Sequence, residues 1–202
     1  MQAHPRDQRR PLVFDKLKAV LHTLRRVCVS RYERILFKAA FALTFYGAYC
    51  LSEVVAPARN SPGSACLRVR DITMGRDYME VFLRRSKTDQ EGKGVTSIIR
   101  SIPDRRHCGV RLLRRYLAVR PVAPGPLFIH HDGSCLSKYQ FRVVFRAVLH
   151  QAGLPAGHFG SHSFRIGAAT TASLLGFSEE GIKKVGRWRS KAYRSYLRPD
   201  GC

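Results

Sequence analysis

The sequence is poor in acidic residues and has no long apolar stretch. Its 202 residues include 14 aspartates and glutamates against 36 lysines and arginines, a formal net charge of +22. The most apolar run, residues 39–51, is too short to span a bilayer, and the polar N-terminus lacks the apolar core of a signal peptide. We therefore expect a soluble protein that has no membrane partner and binds a polyanion, either nucleic acid or an anionic surface.

The six cysteines are scattered along the sequence, and no two of them form a Cys-x-x-Cys pair. This pattern argues against a disulfide scaffold or a zinc ribbon and favours a reducing compartment. The candidate ligands for another kind of zinc site are His130, His131, Cys135, His158 and His162. Gly160 lies between His158 and His162 and argues against a helix that presents both. We expect neither a metal nor a cofactor.

Helical periodicity dominates the chain, and no long linker divides it. Apolar spacing and capping residues predict helices over 12–27, from 31 to about 48, and over 110–119, 137–153, 161–176, 178–186 and 190–197. β-Branched and aromatic runs separated by turns predict strands over 66–72, 78–84 and 95–99. The predicted fold class is α+β, mostly α, with a helical core and a small three-stranded antiparallel sheet.

Two features near the C-terminus could act on a phosphate. His162 and Arg165 lie three apart on one side of a predicted helix and could both hydrogen-bond one phosphate, although such a pair is also common on a basic surface. The phenol of Tyr196 could attack phosphorus to form a phosphotyrosine, or its ring could simply pack a terminal helix. Tyr193 is the nearby alternative nucleophile.

Two further residues could assist that chemistry. Lys87, at the end of a predicted strand, could protonate a leaving oxygen; it could equally be a solvated hairpin lysine, and Lys93 is an equally exposed alternative. Trp188, the single tryptophan, could close a site and donate its indole N–H to a phosphate oxygen, or it could be a core residue.

Taken in order, these motifs resemble the tyrosine recombinase (phage integrase) family, and within it the Crypton-type recombinases of eukaryotic mobile elements. The resemblance runs from about residue 12 to residue 199. The segments that carry it are Phe45-Tyr46-Gly47-Ala48-Tyr49-Cys50-Leu51-Ser52-Glu53, Ser86-Lys87-Thr88-Asp89-Gln90, Ser161-His162-Ser163-Phe164-Arg165-Ile166-Gly167-Ala168-Ala169-Thr170, Gly186-Arg187-Trp188 and Tyr196-Leu197-Arg198.

The resemblance implies a DNA strand-exchange site that needs no metal. It assigns Tyr196 as the nucleophile and Lys87 as the general acid. His162 and Arg165 become the family's His-x-x-Arg pair, and Trp188 stands at its histidine-or-tryptophan position. Double-stranded DNA is the implied partner, self-association on DNA is an open expectation, and nuclear localisation follows from the family and the basic composition.

The chain departs from the family where the first arginine is expected. Cys50 stands there, within an otherwise intact Gly-x-x-Arg-x-Ser-Glu context, so Glu53 is expected to lack its usual partner. A thiol is a weak donor that cannot replace a guanidinium, and removal of one preorganised donor costs on the order of 10²- to 10³-fold in rate. We therefore expect strand exchange to be severely impaired. Arg59 is the basic residue that could reach the site from a loop.

The domain organisation predicted from the resemblance is a single catalytic domain. Residues 1–11 form a basic N-terminal arm, 12–199 the catalytic domain and 200–202 a short tail, with the family's N-terminal core-binding (clamp) domain absent. The short tail also argues against tetrameric assembly.

Three other functions remain open at this stage. The first is a catalytically silent, domesticated or decayed DNA-binding module with the same fold, which Cys50 favours. The second is a basic protein that binds RNA or chromatin. The third is a type IB topoisomerase, against which the Crypton-like motifs around Arg165 and Lys87 argue.

Overall fold

The chain folds into helices around one small sheet, as the sequence predicts. The computed structural model describes residues 9–84 and 94–198. The helices are α1 (Phe14–Val27), α2 (Arg31–Tyr46), α3 (Leu51–Val54), α4 (Gly109–Leu117), α5 (Lys138–Gln151), α6 (Ser163–Leu174) and α7 (Glu179–Gly186). Short 3-10 helices cover Val69–Asp71, Ala156–His158 and Lys191–Tyr196. Apart from α3 and the first two 3-10 turns, each helical segment lies where its apolar spacing predicts one.

Helix α2 is the centre of the main core and packs against α1, α4 and α6. Its Phe41 side chain meets three phenylalanines of other helices, with ring centroids 4.7 Å from Phe141, 5.7 Å from Phe145 and 5.6 Å from Phe164. These partners belong to α5 and α6, so one aromatic cluster joins three helices. Burial of large apolar side chains contributes roughly 1.5–3 kcal/mol each, which makes this cluster a major source of stability.

Ser30 and Ser137 cap their helices as predicted, whereas α6 begins at Ser163 and has no side-chain cap from the predicted Ser161. Ser30 Oγ accepts a hydrogen bond from the Glu33 N–H at the start of α2. At the start of α5, Ser137 Oγ accepts one from the Gln140 N–H, and the Gln140 side chain accepts one from the Ser137 N–H. Each bond satisfies a backbone donor that has no partner within its own helix.

The sheet is antiparallel in the order β1-β2-β3, with β1 at Ile72–Met74, β2 at Tyr78–Leu83 and β3 at Val95–Arg100. Residues 75–77 form the predicted turn, but the strand predicted over 66–72 is wrong. There the buried Asp71 carboxylate accepts the Arg68 N–H at 2.7 Å and Arg84 Nη2 at 2.6 Å. These bonds favour a 3-10 turn, so pairing starts only at Ile72, which faces Val81.

Helix α6 lies directly against the chain that leads into α1. The Leu12 N–H donates to Ser163 O at 2.9 Å, and the Arg10 N–H donates to His158 O at 2.8 Å. A Cβ added at Gly167 would lie only 2.0 Å from Leu12 O, so the close approach of the two backbones requires glycine at this position. The N-terminal half of α6 is thereby held in place.

The C-terminal part of the chain has a small apolar core of its own. We call this group the C-terminal cluster: it comprises the buried residues Ala169, Ala172, Ile182, Trp188 and Tyr193, with Tyr196 and Leu197 packed against them. It joins α6 to α7 and to the 3-10 turn at Lys191–Tyr196. None of the described helices is both long and apolar enough to cross a membrane.

Candidate active site

Three predicted site residues meet around the ring of Tyr196. The centroid of this ring lies 5.1 Å from that of His162 and 5.1 Å from that of Trp188. The Arg165 Cζ lies 5.4 Å from the same centroid. Tyr196 comes from the last 3-10 turn, Trp188 follows α7, and the other two stand at the start of α6. Residues separated by up to 34 positions thus form one group that combines a phenol, a guanidinium, an imidazole and an indole.

Arg165 is the best-anchored member of this group, with only 8% of its surface exposed. Its Nη1 donates to Ala48 O at 2.5 Å and its Nη2 to Gly186 O at 2.9 Å. The guanidinium also lies over the Trp188 ring, 4.6 Å from the centroid. These carbonyls fix the guanidinium without neutralising its charge, which suits it to bind an anion.

Trp188 is buried, as the core interpretation predicts, but it also carries a buried donor. Its Nε1 has no hydrogen-bond partner among the described residues. A buried N–H without a partner costs free energy, and an oxygen atom of a bound ligand would remove that cost. Both sequence interpretations of Trp188 therefore agree with its position.

The two candidate nucleophiles differ in their surroundings. Tyr193 is buried, with 4% of its surface exposed, and its hydroxyl accepts a hydrogen bond from Arg194 Nε at 3.4 Å. Tyr196 is half-buried and faces Arg165. The geometry favours Tyr196. Lys87 and its alternative Lys93 lie outside the described residues.

Cys50 ends the turn after α2, and Glu53 lies in α3. In place of the arginine partner expected at position 50, the Glu53 Oε2 accepts hydrogen bonds from the Cys50 N–H at 2.7 Å and from Arg187 Nη2 at 3.3 Å. The two side chains of this ion pair are only 8% (Arg187) and 10% (Glu53) exposed. Arg59, the loop candidate, instead pairs with Asp132 at 2.5 Å.

Arg187 is the site residue that the sequence did not single out. Its Nη1 donates to Gly47 O at 2.6 Å, and its guanidinium lies over the Tyr49 ring, 4.5 Å from the centroid. Burial lowers the pKa of Arg187, whereas the Glu53 carboxylate opposes that shift. Its partners are about 140 residues away, so local patterns could not reveal the contact. The available signal was its place in the Gly186-Arg187-Trp188 motif.

Backbone strain is concentrated in the same place. Among the described residues, Ala48 (φ 45°) and Arg187 (φ 57°) are the two non-glycine residues with positive φ. Such conformations cost on the order of 1–3 kcal/mol each and persist only where surrounding contacts hold them. Here the holding contacts are those of Arg165 on Ala48 O and of Arg187 on Gly47 O.

No group of three or more histidine, cysteine or acidic side chains within residues 9–84 and 94–198 is placed to hold a metal ion. The five candidate zinc ligands, His130, His131, Cys135, His158 and His162, form no such group. This site is instead built from cations, aromatic rings and a phenol.

Comparisons with known proteins agree with this architecture. The chain superposes on a XerH site-specific recombinase bound to its difH substrate with a TM-score of 0.68 and 18% identity, over 92% of this chain and 49% of that one. It superposes on a lambda integrase dimer bound to a COC′ core site with a TM-score of 0.66 and 15% identity, over 99% and 50% of the two chains. The chain has the fold of a tyrosine recombinase catalytic domain.

The chain is also similar in sequence to a recombinase. The chain is 30% identical over 160 residues to an integrase/recombinase XerD homolog from Selenomonas ruminantium, which covers 76% of this chain and 44% of the relative. The chain therefore spans less than half the length of this relative. No protein-family model matches the sequence.

Proposed function

We propose that the chain binds double-stranded DNA and cleaves and rejoins it through a phosphotyrosine at Tyr196. The observation that carries the proposal is the convergence of Arg165, His162 and Trp188 on the Tyr196 ring. The net charge of +22 supports a polyanionic partner. The XerH and lambda integrase structures that share the fold are themselves DNA complexes.

In the proposed reaction the Tyr196 phenol releases its proton to water while its oxygen attacks a backbone phosphorus. A P–O bond to the tyrosine forms and the P–O bond to the 5′-oxygen breaks, which leaves a 3′-phosphotyrosine. The 5′-oxygen takes a proton from Lys87, while Arg165, His162 and the Trp188 N–H hold the non-bridging oxygens. A 5′-hydroxyl then attacks the phosphotyrosine and releases Tyr196, so rejoining needs no nucleotide cofactor.

The finer assignments belong to the same proposal. The motifs around Arg165 and Lys87 support an origin among the Crypton-type recombinases of mobile elements, and that origin would place the protein in the nucleus. Self-association on DNA would place two such active sites in one recombination reaction.

Cys50 favours a second candidate function, a DNA-binding module that no longer cleaves. Its thiol lies at the N-terminus of α3 and offers no positive charge at the position where the family has an arginine. This candidate keeps the DNA interface and predicts no covalent adduct.

A suicide-substrate experiment separates the two candidates. Nicked duplexes with a randomised target sequence should trap a covalent protein–DNA adduct with the natural chain. Tyr196→Phe should abolish the adduct, whereas Tyr193→Phe, the matched control in the same turn, should retain it. Adducts that form only after Cys50→Arg would establish the silent module. An adduct that survives Tyr196→Phe would refute the assigned nucleophile.

A further inference from the structure

Arg165 and Arg187 donate hydrogen bonds to the carbonyls of two successive residues in the turn after α2. Arg165 Nη1 donates to Ala48 O at 2.5 Å, and Arg187 Nη1 donates to Gly47 O at 2.6 Å. The positive charge of Arg165 is near enough to contribute to the lowered pKa of Arg187. The turn after α2 therefore gathers two guanidinium groups, although its own sequence supplies none.

The second guanidinium lies beside the backbone of residue 50. The Cys50 N–H and Arg187 Nη2 both donate to Oε2 of Glu53, at 2.7 Å and 3.3 Å. One carboxylate oxygen thus links the two residues. The family resemblance places Glu53 next to the arginine of position 50, so the partner that Glu53 would have there is here provided by position 187.

The arrangement is rigid and keeps a net positive charge. The Arg187 guanidinium is fixed by a carbonyl, a carboxylate and the face of the Tyr49 ring, at 4.5 Å from its centroid. Two guanidiniums and one carboxylate leave an excess of one positive charge in a largely buried place. A phosphodiester carries one negative charge, and a guanidinium presents donors in the planar fork that such oxygens accept.

We propose that Arg187 supplies the second phosphate-binding guanidinium of this site in place of the arginine that position 50 lacks. The inference rests on the proposed DNA function and deepens it, because it identifies how a chain with Cys50 can still hold a backbone phosphate. Arg187 and Arg165 together bind the non-bridging oxygens, and Glu53 positions Arg187.

The test is the salt dependence of duplex binding in a cycle of variants. The natural chain, Arg187→Gln, Cys50→Arg and the double variant are titrated with a fluorescent DNA duplex from 50 to 300 mM salt. Loss of one phosphate contact reduces the slope of log affinity against log salt by about one. We expect that reduction in Arg187→Gln, recovery in the double variant, and little change in Cys50→Arg alone.

Arg165→Gln is the matched control, because Cys50→Arg should not restore its slope. Thermal melting verifies that each variant is folded. If Arg187→Gln alone does not fold, the double variant still decides: a folded double variant with the natural slope supports the replacement, and one that lacks a phosphate contact overturns it.

The remaining outcomes separate this inference from the proposed function. An unchanged slope in Arg187→Gln overturns the inference and leaves DNA binding intact. A reduced slope without recovery in the double variant makes Arg187 an ordinary DNA contact and also overturns the replacement. Binding that does not depend on salt in the natural chain overturns the proposed function and the inference with it.

Discussion

Gly167→Ala should destabilise the protein, although alanine is the better helix former. A Cβ at this position would lie 2.0 Å from Leu12 O and 2.4 Å from Leu12 C. An ordinary contact needs at least 3.4 Å, so the backbones of α6 and residue 12 would have to separate by more than an ångström. The atoms that obstruct the new methyl group belong to backbone and cannot rotate away.

The magnitude follows from what that separation breaks. The Leu12 N–H would lose its bond to Ser163 O, a loss of about 1 kcal/mol. The Leu12 side chain, now fully buried, would lose packing that contributes roughly 1.5–3 kcal/mol. The higher helix propensity of alanine offsets about 1 kcal/mol of this loss in the free energy of unfolding. We therefore expect a net loss of about 1.5–3 kcal/mol in the free energy of unfolding.

Urea denaturation followed by circular dichroism measures this free energy, and Gly181→Ala is the matched control. Gly181 is also inside a helix, α7, but its Cβ would meet nothing closer than 3.5 Å. That variant should be stabilised by about 0.5–1 kcal/mol. A Gly167→Ala protein as stable as the natural chain would refute the close packing of α6 against residue 12.

Two other predictions concern buried and half-buried groups. Arg187→Met should lower the free energy of unfolding by about 3–5 kcal/mol, because it leaves the buried Glu53 carboxylate without its cation; adding Glu53→Gln should recover part of the loss in urea denaturation, and strictly additive losses would contradict the pairing. Burial raises the pKa of the Cys28 thiol from 9.0 to about 11. Since the thiolate is the reactive form, iodoacetamide should modify Cys28 slowly at pH 9, with a rate that rises up to about pH 11, as peptide mass spectrometry can follow. The same raised pKa means that the thiol contributes stability below pH 9 and loses that contribution as the pH rises through 11. A rate that levels off near pH 9 would contradict the burial.

Local signals predicted most of the helices because their causes are local. Ser137 and Gln140 cap α5 through contacts three residues apart, and the apolar spacing of α1 describes the face that it buries. The prediction of the first strand was wrong, and the reason is also physical. Its β-branched residues fit a strand, but Asp71 binds Arg68 and the distant Arg84 and holds a turn instead.

The candidate site shows the limit of the same reasoning. The motifs identified Tyr196, His162, Arg165 and Trp188, and these residues do meet. The partner of Glu53 could not be deduced, because Arg187 reaches it only through the left-handed turn after α7 and across more than 130 residues. The absence of an arginine at position 50 does not by itself determine the charge of the site, because the fold can place an arginine from another part of the sequence there.

We expect the C-terminal cluster to unfold as a cooperative unit separate from the larger main core. Trp188, which lies against the Tyr196 ring, belongs to this cluster, whereas the aromatic centre around Phe41 belongs to the main core. Because few apolar side chains join it, the terminal unit should open at a free energy well below that of global unfolding. Backbone amides of α7 and of the last turn would then exchange with solvent while those of α2 stay protected. The phenol of Tyr196 could thus change position without melting the scaffold that carries Arg165.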